Sequence, residues 1–372
     1  MLKNAYITGM NAKKYLISEW RILVKFLPTG WRVKANELGI LKRKRNIKSS
    51  SVLLRIFLIH LADGCSLKET ATRAKQGHLA DVSDVALQKK LKGLSDWFRW
   101  MCLELLKSRG IELTPPKWLK SFHVKSVDAS VITEPGSTGT DWRLHYSLNM
   151  FDLQCDQFII TRPNVGESFL NFSVAESDLF LGDRAYGRLK GLKYIVENGG
   201  DYMVRLKNKA FKIYSNDTEF SMLDEFSHLA VGQIGDWDVV GKAKDGTKLG
   251  MRLCVIRKSD LEAEKAIKKA LKEAKKKQRT IDPVTLELYR YIIVVTSLPN
   301  KISARLILEL YRFRWQVEIA FKRLKSIIGL GHLPKKNEAS CRSWLHGKML
   351  VALLAQAIVT EGRKFSPWGY PI

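Results

Sequence analysis

Three acidic residues that are far apart along the chain have the character of ligands for a divalent metal ion. Asp128 lies in the middle of an apolar, strand-like segment, residues 124–132, where a charge is costly unless it is paired or bound to metal. Asp183 comes just after a short apolar strand, a position at which α/β sheets commonly bind ligands. Glu318 lies in a helical segment, residues 306–328. Carboxylates that converge from different elements hold paired divalent ions, which activate water for phosphodiester cleavage.

The helical segment around Glu318 carries further polar side chains at regular offsets. Arg314, Glu318 and Lys325 follow Tyr311 by three, seven and fourteen residues. At about 100° per residue, these positions fall within an arc of roughly 60° on one helical face. We expect Glu318 to hold a metal ion while its neighbours bind phosphate oxygens, and the alternative is a salt-bridged surface glutamate. An apolar stripe beside this face predicts packing on a core: Leu310, Val317, Phe321, Leu324 and Ile328.

The chain around the two aspartates has the pattern of an α/β domain. Thr114, Pro115 and Pro116 interrupt the preceding helical pattern and mark a domain boundary. Three strand-like segments follow, which predict an antiparallel meander. With a helical stretch from Glu167 onward, the predicted order is β-β-β-α-β-α-β. The predicted strands are 124–132, 142–150, 157–162, 179–181 and 202–206, and the second predicted helix is 188–198.

The excess of basic residues indicates a polyanionic partner. The 372 residues include 63 lysines and arginines against 37 acidic residues, a formal net charge of +26. Double-stranded DNA or another nucleic acid is the simplest such partner, and an anionic membrane surface is the alternative. No run of eighteen apolar residues occurs, and residues 350–360 have the pattern of a buried helix, so no membrane span is predicted. A membrane surface is the weaker alternative, because no basic amphipathic helix with large apolar anchors stands out in the sequence.

The five cysteines are widely spaced and form no CxxC pair, which argues against a structural zinc site. Odd, scattered cysteines are typical of a reducing compartment and of core positions. The N-terminus has no apolar segment with a cleavage site, so no secretion signal is predicted. These features predict a cytoplasmic protein.

The N-terminal part of the chain is basic and has a helical pattern. Ser66 and Glu69 have the spacing of a capping box, and Ser83 can cap the next helix. Two short capped helices around Gly77 resemble a helix-turn-helix, although such pairs are also common as plain structure. The basic run at residues 42–45 is either a solvated surface or a phosphate contact. The candidate DNA contacts in this region are Gln88, Lys89, Lys92, Arg43 and Arg45.

The residues around Glu318 also match a known signature. DDE transposases of bacterial insertion sequences, in insertion-sequence family four, have the motif Y-x₂-R-x₃-E-x₆-K, which this spacing matches. The sequence GDRAYG around Asp183, the strand that carries Asp128 and the order of elements also resemble that family. The resemblance covers roughly residues 120–330. It implies that Asp128, Asp183 and Glu318 are the catalytic and metal-binding residues.

The resemblance implies a ribonuclease H-like catalytic core, a mixed sheet flanked by helices, with an all-α domain before it and a β-rich insertion within it. An aromatic residue of the family's insertion often receives a flipped base. Trp237 is a candidate for that role by location, and Trp315 is a candidate for base stacking, with core packing as the alternative for both. The C-terminal helix, residues 342–361, is expected to pack on the catalytic core. The implied segments are a DNA-binding domain at 1–116, the core at 117–206 and 291–335, the insertion at 207–290 and a helical segment at 336–372.

The reaction is likewise implied by the resemblance. Two Mg²⁺ ions, for which Mn²⁺ can substitute, support attack by water on one strand at a transposon end. The freed 3′-hydroxyl forms a hairpin with the opposite strand during excision and later joins target DNA. The implied acting species is a homodimer on paired DNA ends. Two alternatives remain open: a DNA-binding regulator without catalysis, against which the three carboxylates argue, and a nuclease of the same fold without strand transfer.

Overall fold

The structure is a computed structural model that describes residues 20–42, 44–107 and 115–363. The chain divides into two compact units. The first unit comprises Met1–Gly110, Val131–Trp142 and Lys322–Ile372, and the second comprises Ile111–Ser130 and Arg143–Phe321. The C-terminal part of the chain therefore belongs with the N-terminal helices.

The described strands form one mixed sheet. They are β1 (His123–Ile132), β2 (Trp142–Asn149), β3 (Cys155–Thr161), β4 (Asp178–Gly182), β5 (Asp201–Arg205), β6 (Lys212–Ser215), β7 (Thr218–Glu219), β8 (Ile234–Lys242), β9 (Lys248–Arg257) and β10 (Tyr291–Thr296). The strand order is β3-β2-β1-β4-β5-β10-β9-β8-β6-β7. β1, β4 and β5 pair in parallel, whereas β10 is antiparallel to both β5 and β9. The first five strands are thus arranged as the ribonuclease H-like core that the resemblance implies.

Alternate residues of the central strands pack into two separate hydrophobic clusters, because successive side chains of a strand point to opposite faces of the sheet. Phe180 belongs to one cluster and Leu179 and Leu181 to the other. The first cluster includes residues of α6 (Leu189–Glu197), and the second includes residues of α10 (Ala304–Tyr311). Helices therefore cover both faces of the sheet, and the predicted mixed α/β fold is confirmed.

The predicted helix from Glu167 is wrong in extent. Only Phe169–Asn171 is helical there, as a single 3₁₀ turn capped by Ser168. The backbone before it is bound by side chains instead: Arg143 donates to the Pro163 carbonyl at 3.2 Å, and Asn171 donates to the Gly166 carbonyl at 2.8 Å. Because side chains rather than an internal ladder satisfy these carbonyls, the segment has no need of helical hydrogen bonds.

The β-rich insertion extends the same sheet. Its strands β8 and β9 form a long antiparallel pair, and β9 joins the core through β10. Its helices are α7 (Met222–Ser227), α8 (Asp260–Lys276) and α9 (Pro283–Leu288). The Trp237 ring packs on Phe226, with ring centroids 5.3 Å apart, and on Phe220 at 5.9 Å. Trp237 is therefore part of an aromatic cluster of the second unit.

The first unit is built from helices. They are α1 (Trp31–Glu37), α2 (Ser50–Ala62), α3 (Leu67–Gln76), α4 (Asp84–Leu91), α5 (Ser95–Lys107), the end of α11 (Gln316–Ser326) and α12 (Glu338–Arg363). The predicted caps are present, because Ser66 accepts from the Glu69 N–H and Ser83 from the Ala86 N–H. All five cysteines of the chain are buried, and none forms a disulfide bond.

Helix α12 packs on α2, α4 and α5, so the expectation that it packs on the catalytic core is corrected. Its apolar residues meet the apolar faces of these N-terminal helices: Gly347 lies so close to Leu61 that an added Cβ would be 2.5 Å from that side chain. Among the described helices, α12 alone is long and apolar enough to cross a membrane by composition, and 61% of that stretch is buried. Buried core helices of this length can be equally apolar, so the composition of α12 is only weak evidence for a membrane span.

Candidate active site

Strand pairing places Asp128 and Asp183 side by side. The parallel strands β1 and β4 pair Ser126 with Leu181, so each aspartate lies two residues beyond that pair. Adjacent strands are about 4.8 Å apart. Each carboxylate accepts a backbone N–H from within the next two residues, at 2.7 Å for Asp128 and 2.8 Å for Asp183. The sheet itself therefore brings together two of the three predicted carboxylates.

A third carboxylate, Glu167, joins these two aspartates. Burial raises the pKa of Asp128 to about 7, and the negative charges of Asp183 and Glu167 contribute in the same direction. The Ala129 N–H and the Arg314 guanidinium oppose that shift. Burial and then Asp183 likewise raise the pKa of Glu167. The site thus concentrates negative charge that burial makes unfavourable.

The segment that carries Glu318 differs from the single predicted helix. It consists of α10, a 3₁₀ turn over Arg312–Trp315, and α11. The Glu318 side chain is 54% exposed and forms an ion pair with Arg314. Within residues 20–42, 44–107 and 115–363, no three His, Cys, Asp or Glu side chains converge closely enough to hold a metal ion. Glu318 is therefore paired with an arginine here and not with the two aspartates.

Two hydrogen bonds fasten this segment to the strands that carry the aspartates. The Ser126 hydroxyl donates to the Arg314 carbonyl at 3.0 Å, and the Tyr311 hydroxyl donates to the Gly182 carbonyl at 2.9 Å. Ser126 precedes Asp128 by two residues, and Gly182 directly precedes Asp183. Because Tyr311 is buried and its O–H is already used within the protein, it positions the helix in this structure. A short 3₁₀ stretch within a helix is often found at functional sites.

A cavity of about 680 Å³ borders Asp183, and five arginines are among the residues that line it. Burial and then the charge of Arg184 lower the pKa of Arg205. Arg314, Tyr311 and the half-exposed Trp315 also line this cavity. Sequence reasoning missed Arg184 and Arg205, although Arg184 lies inside the GDRAYG motif and could have been inferred from it.

The remaining predicted site residues lie elsewhere. Lys325 is exposed on the end of α11 that belongs to the first unit. Trp237 is packed in its aromatic cluster. The N-terminal candidates Gln88, Lys89, Lys92 and Arg45 are exposed in the first unit, and Arg43 lies outside the described residues.

The residues at the sheet edge fit a divalent cation by their chemistry. Carboxylate oxygens are the hard ligands that Mg²⁺ and Mn²⁺ prefer. A bound cation would also relieve the repulsion that raises the pKa of Asp128. Aspartates side by side on parallel strands, next to a cavity with five arginines in its lining, are the arrangement expected of a metal-dependent enzyme that acts on phosphodiesters.

Comparison with known proteins gives this class its family. Residues 165–354, about half of the chain, match the family described as Transposase DDE domain, and the chain belongs to that family. The expected enzyme, a DDE transposase of an insertion sequence that cleaves and joins DNA strands, is thereby confirmed. Membership in this family also implies a reaction that depends on a divalent cation and acts on DNA.

Similar proteins support this assignment over nearly the full length. The chain is 28% identical over 365 residues to the InsL protein of insertion sequence element IS186A from Escherichia coli (strain K12). It is also 28% identical over 366 residues to the transposase for insertion sequence element IS421 from Escherichia coli. Each alignment covers 95% of this chain and 97% of the relative. A solved piggyBac transposase synaptic complex with hairpin DNA aligns with a TM-score of 0.46 and 7% identity, covering 94% of this chain and 74% of the other.

Proposed function

We propose that the protein excises its own insertion sequence and reinserts it at a new site by a cut-and-paste reaction. The observation that carries this proposal is the register of β1 and β4, which pairs Ser126 with Leu181 and so puts Asp128 and Asp183 each two residues beyond that pair. These two aspartates and Glu318 would hold two Mg²⁺ ions, or Mn²⁺ in their place. When bound, the ions supply charge relief on the phosphate and an activated water.

The chain's own residues would bind and orient the DNA strand. Arg184, Arg205 and Arg314 line the cavity beside Asp183 and would hold phosphate oxygens there. A phosphate that binds Arg314 competes with Glu318 for the guanidinium, so strand binding would release Glu318 toward the aspartates. Trp315 would stack on a base at the cavity rim. This geometry would orient the 3′-hydroxyl left by nicking for hairpin formation and later strand transfer.

The helical segment at residues 1–116 would recognise the terminal inverted repeats. Gln88, Lys89 and Lys92 lie exposed on or just after α4, the second capped helix, where they would face the DNA. Arg43, Arg45 and Lys325 would add phosphate contacts. Trp237 remains a candidate for receiving a flipped base only if its cluster opens. A homodimer on paired ends, acting in the bacterial cytoplasm, would perform the complete reaction.

A nicking assay on the element's own terminal repeats tests the proposal. Wild-type protein should nick one strand in Mg²⁺ or Mn²⁺, and Asp128→Ala, Asp183→Ala and Glu318→Ala should each lose at least about a thousandfold in rate. End binding should remain intact in all three. Glu197→Ala is the matched control, because Glu197 is an exposed glutamate of α6 that pairs with Lys193. Nicking at the normal rate by any of the three alanine variants would refute that residue's role.

Two further substrates separate the alternative functions. Pre-cut ends supplied with a plasmid target should be joined by a transposase and left unjoined by a nuclease of the same fold. A wild-type protein that binds ends but never nicks them in either metal would instead be a regulator. A denaturing gel that detects a covalently closed end tests the hairpin intermediate directly.

A further inference from the structure

The loop that carries Glu167 is held rigidly against the strand end that carries Asp183. Phe169, two residues after Glu167, packs on the Tyr186 ring with centroids 5.0 Å apart. An added Cβ at Gly182 would lie 2.9 Å from both Phe169 and Tyr186, so this contact leaves no space. The Arg143 and Asn171 hydrogen bonds described above fix the loop from its other side. Glu167 is therefore placed by packing.

Tyr186 supplies a second and independent observation at the same place. Its side chain is 1% exposed, and its hydroxyl has no hydrogen-bond partner among the described residues. Burial raises the pKa of Tyr186, and the charges of Asp128, Glu167 and Asp183 raise it further. The Tyr186 backbone N–H also donates to the Asp183 carbonyl at 3.2 Å, so this residue is fastened beside the aspartate. A buried hydroxyl without a partner indicates a water or ligand that it contacts.

We propose that Glu167 and Tyr186 are positioning residues that hold the water shell of the cation bound by Asp128 and Asp183. This inference rests on the proposed function, because it assumes the cation at the aspartates. Among the described residues, Glu167 and the two aspartates do not form a group that could ligate one ion directly. Mg²⁺ keeps several of its waters when proteins bind it, and those waters are hydrogen-bond donors. A carboxylate beside the ion accepts from them without replacing them.

The two side chains have complementary hydrogen-bonding roles. The ionised Glu167 carboxylate only accepts, so it binds the hydrogens of a cation-bound water. The Tyr186 hydroxyl donates its hydrogen to a water oxygen that is not on the cation, or to a carboxylate oxygen of the site. Together the pair would orient the water nearest the scissile phosphate.

Direct measurement of Mn²⁺ binding to the purified full chain, without DNA, tests this proposal. Electron paramagnetic resonance reports free Mn²⁺, so a dissociation constant is obtained without any catalytic readout. Glu167→Gln should weaken Mn²⁺ binding roughly tenfold. Loss of a residue that hydrogen-bonds the ligands of a metal ion typically weakens metal binding by about 10- to 100-fold, and this is the lower value. Tyr186→Phe, which removes one oxygen atom, should weaken it by about threefold. Thermal unfolding of each variant checks that the fold is retained.

Matched controls separate a positioning role from a general effect of substitution. Tyr202→Phe removes an equally buried hydroxyl that also lacks a partner among the described residues, but at β5. It and Glu197→Gln should leave Mn²⁺ affinity unchanged. If Glu167→Gln and Tyr186→Phe match these controls while Asp128→Asn lowers affinity, the inference is overturned and the proposed function survives. If Asp128→Asn and Asp183→Asn also bind Mn²⁺ normally, the proposed cation site itself is wrong.

Discussion

Strand β1 carries two ionisable residues, the buried Lys125 and the half-buried Asp128, whose surroundings are opposite. The Lys125 ammonium donates to Asp178 at 2.9 Å and lies 3.2 Å from Asp156. Asp178 is 1% exposed and also accepts the Ala175 N–H at 2.8 Å. Three residues along the strand, Asp128 lies among other carboxylates. The charge of Lys125 is therefore electrostatically satisfied, and that of Asp128 is not.

The difference separates charges that serve the fold from charges that serve chemistry. A buried charge persists at low cost when each of its hydrogen bonds is made, as around Asp178. Carboxylates that repel one another in a partly buried site reduce stability, so their retention requires another explanation. Perturbed acids of this kind concentrate at functional sites, and a cation supplied from outside would satisfy them.

Removing the Lys125 charge should have the largest effect on stability. Lys125→Met leaves Asp178 buried without its counter-charge, so the free energy of unfolding should fall by about 3–5 kcal/mol. Urea unfolding followed by circular dichroism measures it. Lys193→Met is the control, because Lys193 is 45% exposed in an ion pair with Glu197 and its loss should cost less than about 0.5 kcal/mol. Equal effects of the two substitutions would contradict the distinction between them.

Removing the Asp128 charge should instead stabilise the folded protein. The pKa of Asp128 is raised from 3.8 to about 7 in the folded protein. Between those values the folded state keeps a proton that the unfolded chain has lost, so stability falls as pH rises through this window. Asp128→Asn lacks this penalty. In EDTA at pH 8, we expect the variant to be more stable than wild type by about 2 kcal/mol, allowing for partial exposure.

Urea unfolding at pH 4, 6 and 8 measures this difference. The difference should be smallest at pH 4, because Asp128 is then protonated in the folded state and partly protonated in the unfolded chain, where its pKa is near 3.8. Mn²⁺ at pH 8 should stabilise wild type more than the variant. A variant that is less stable than wild type at pH 8 would show that Asp128 is paired, like Asp178.

Sequence reasoning located the aspartates because Asp128 interrupts an apolar strand and Asp183 follows one, signals that depend only on neighbouring residues. The order of elements followed from β-branched runs and turns, and the fold was implied by the resemblance to the transposase family. The Tyr311–Lys325 spacing identified the helix, but could not show the 3₁₀ turn. That turn coincides with a hydrogen bond from Ser126, 188 residues away in sequence.

The residues that were missed depend on tertiary packing. Glu167 was taken as the start of a helix, and only the contact of Phe169 with Tyr186 places it near Asp183. Arg205 ends an ordinary strand, and its significance comes from Arg184 and Arg314 around a shared cavity. No local pattern distinguishes such residues from surface charges. The C-terminal helix was assigned correctly, but its apolar sequence could not specify which partner it covers.

A smaller effect is expected from the hydrogen bonds that join the helix segment to the two strands. Tyr311→Phe removes the bond to the Gly182 carbonyl, and Ser126→Ala removes the bond to the Arg314 carbonyl. Each should lower the free energy of unfolding by about 1 kcal/mol. Each should also slow nicking by roughly tenfold, because a helix displaced by a fraction of an ångström misplaces Glu318.

Binding and turnover measured separately distinguish the two roles that Tyr311 can have. If Tyr311 acts by positioning the helix, the rate of nicking at saturating DNA falls while the dissociation constant for the transposon end is unchanged. If its hydroxyl instead contacts a DNA backbone oxygen, as the motif suggested, end binding weakens as well. Ser126→Ala is the internal reference, because Ser126 is fully buried and its hydroxyl is bonded within the protein. If both variants nick more slowly and bind the transposon end normally, Tyr311 has the same role as Ser126, which is to hold the helix of Glu318 against the strands of Asp128 and Asp183.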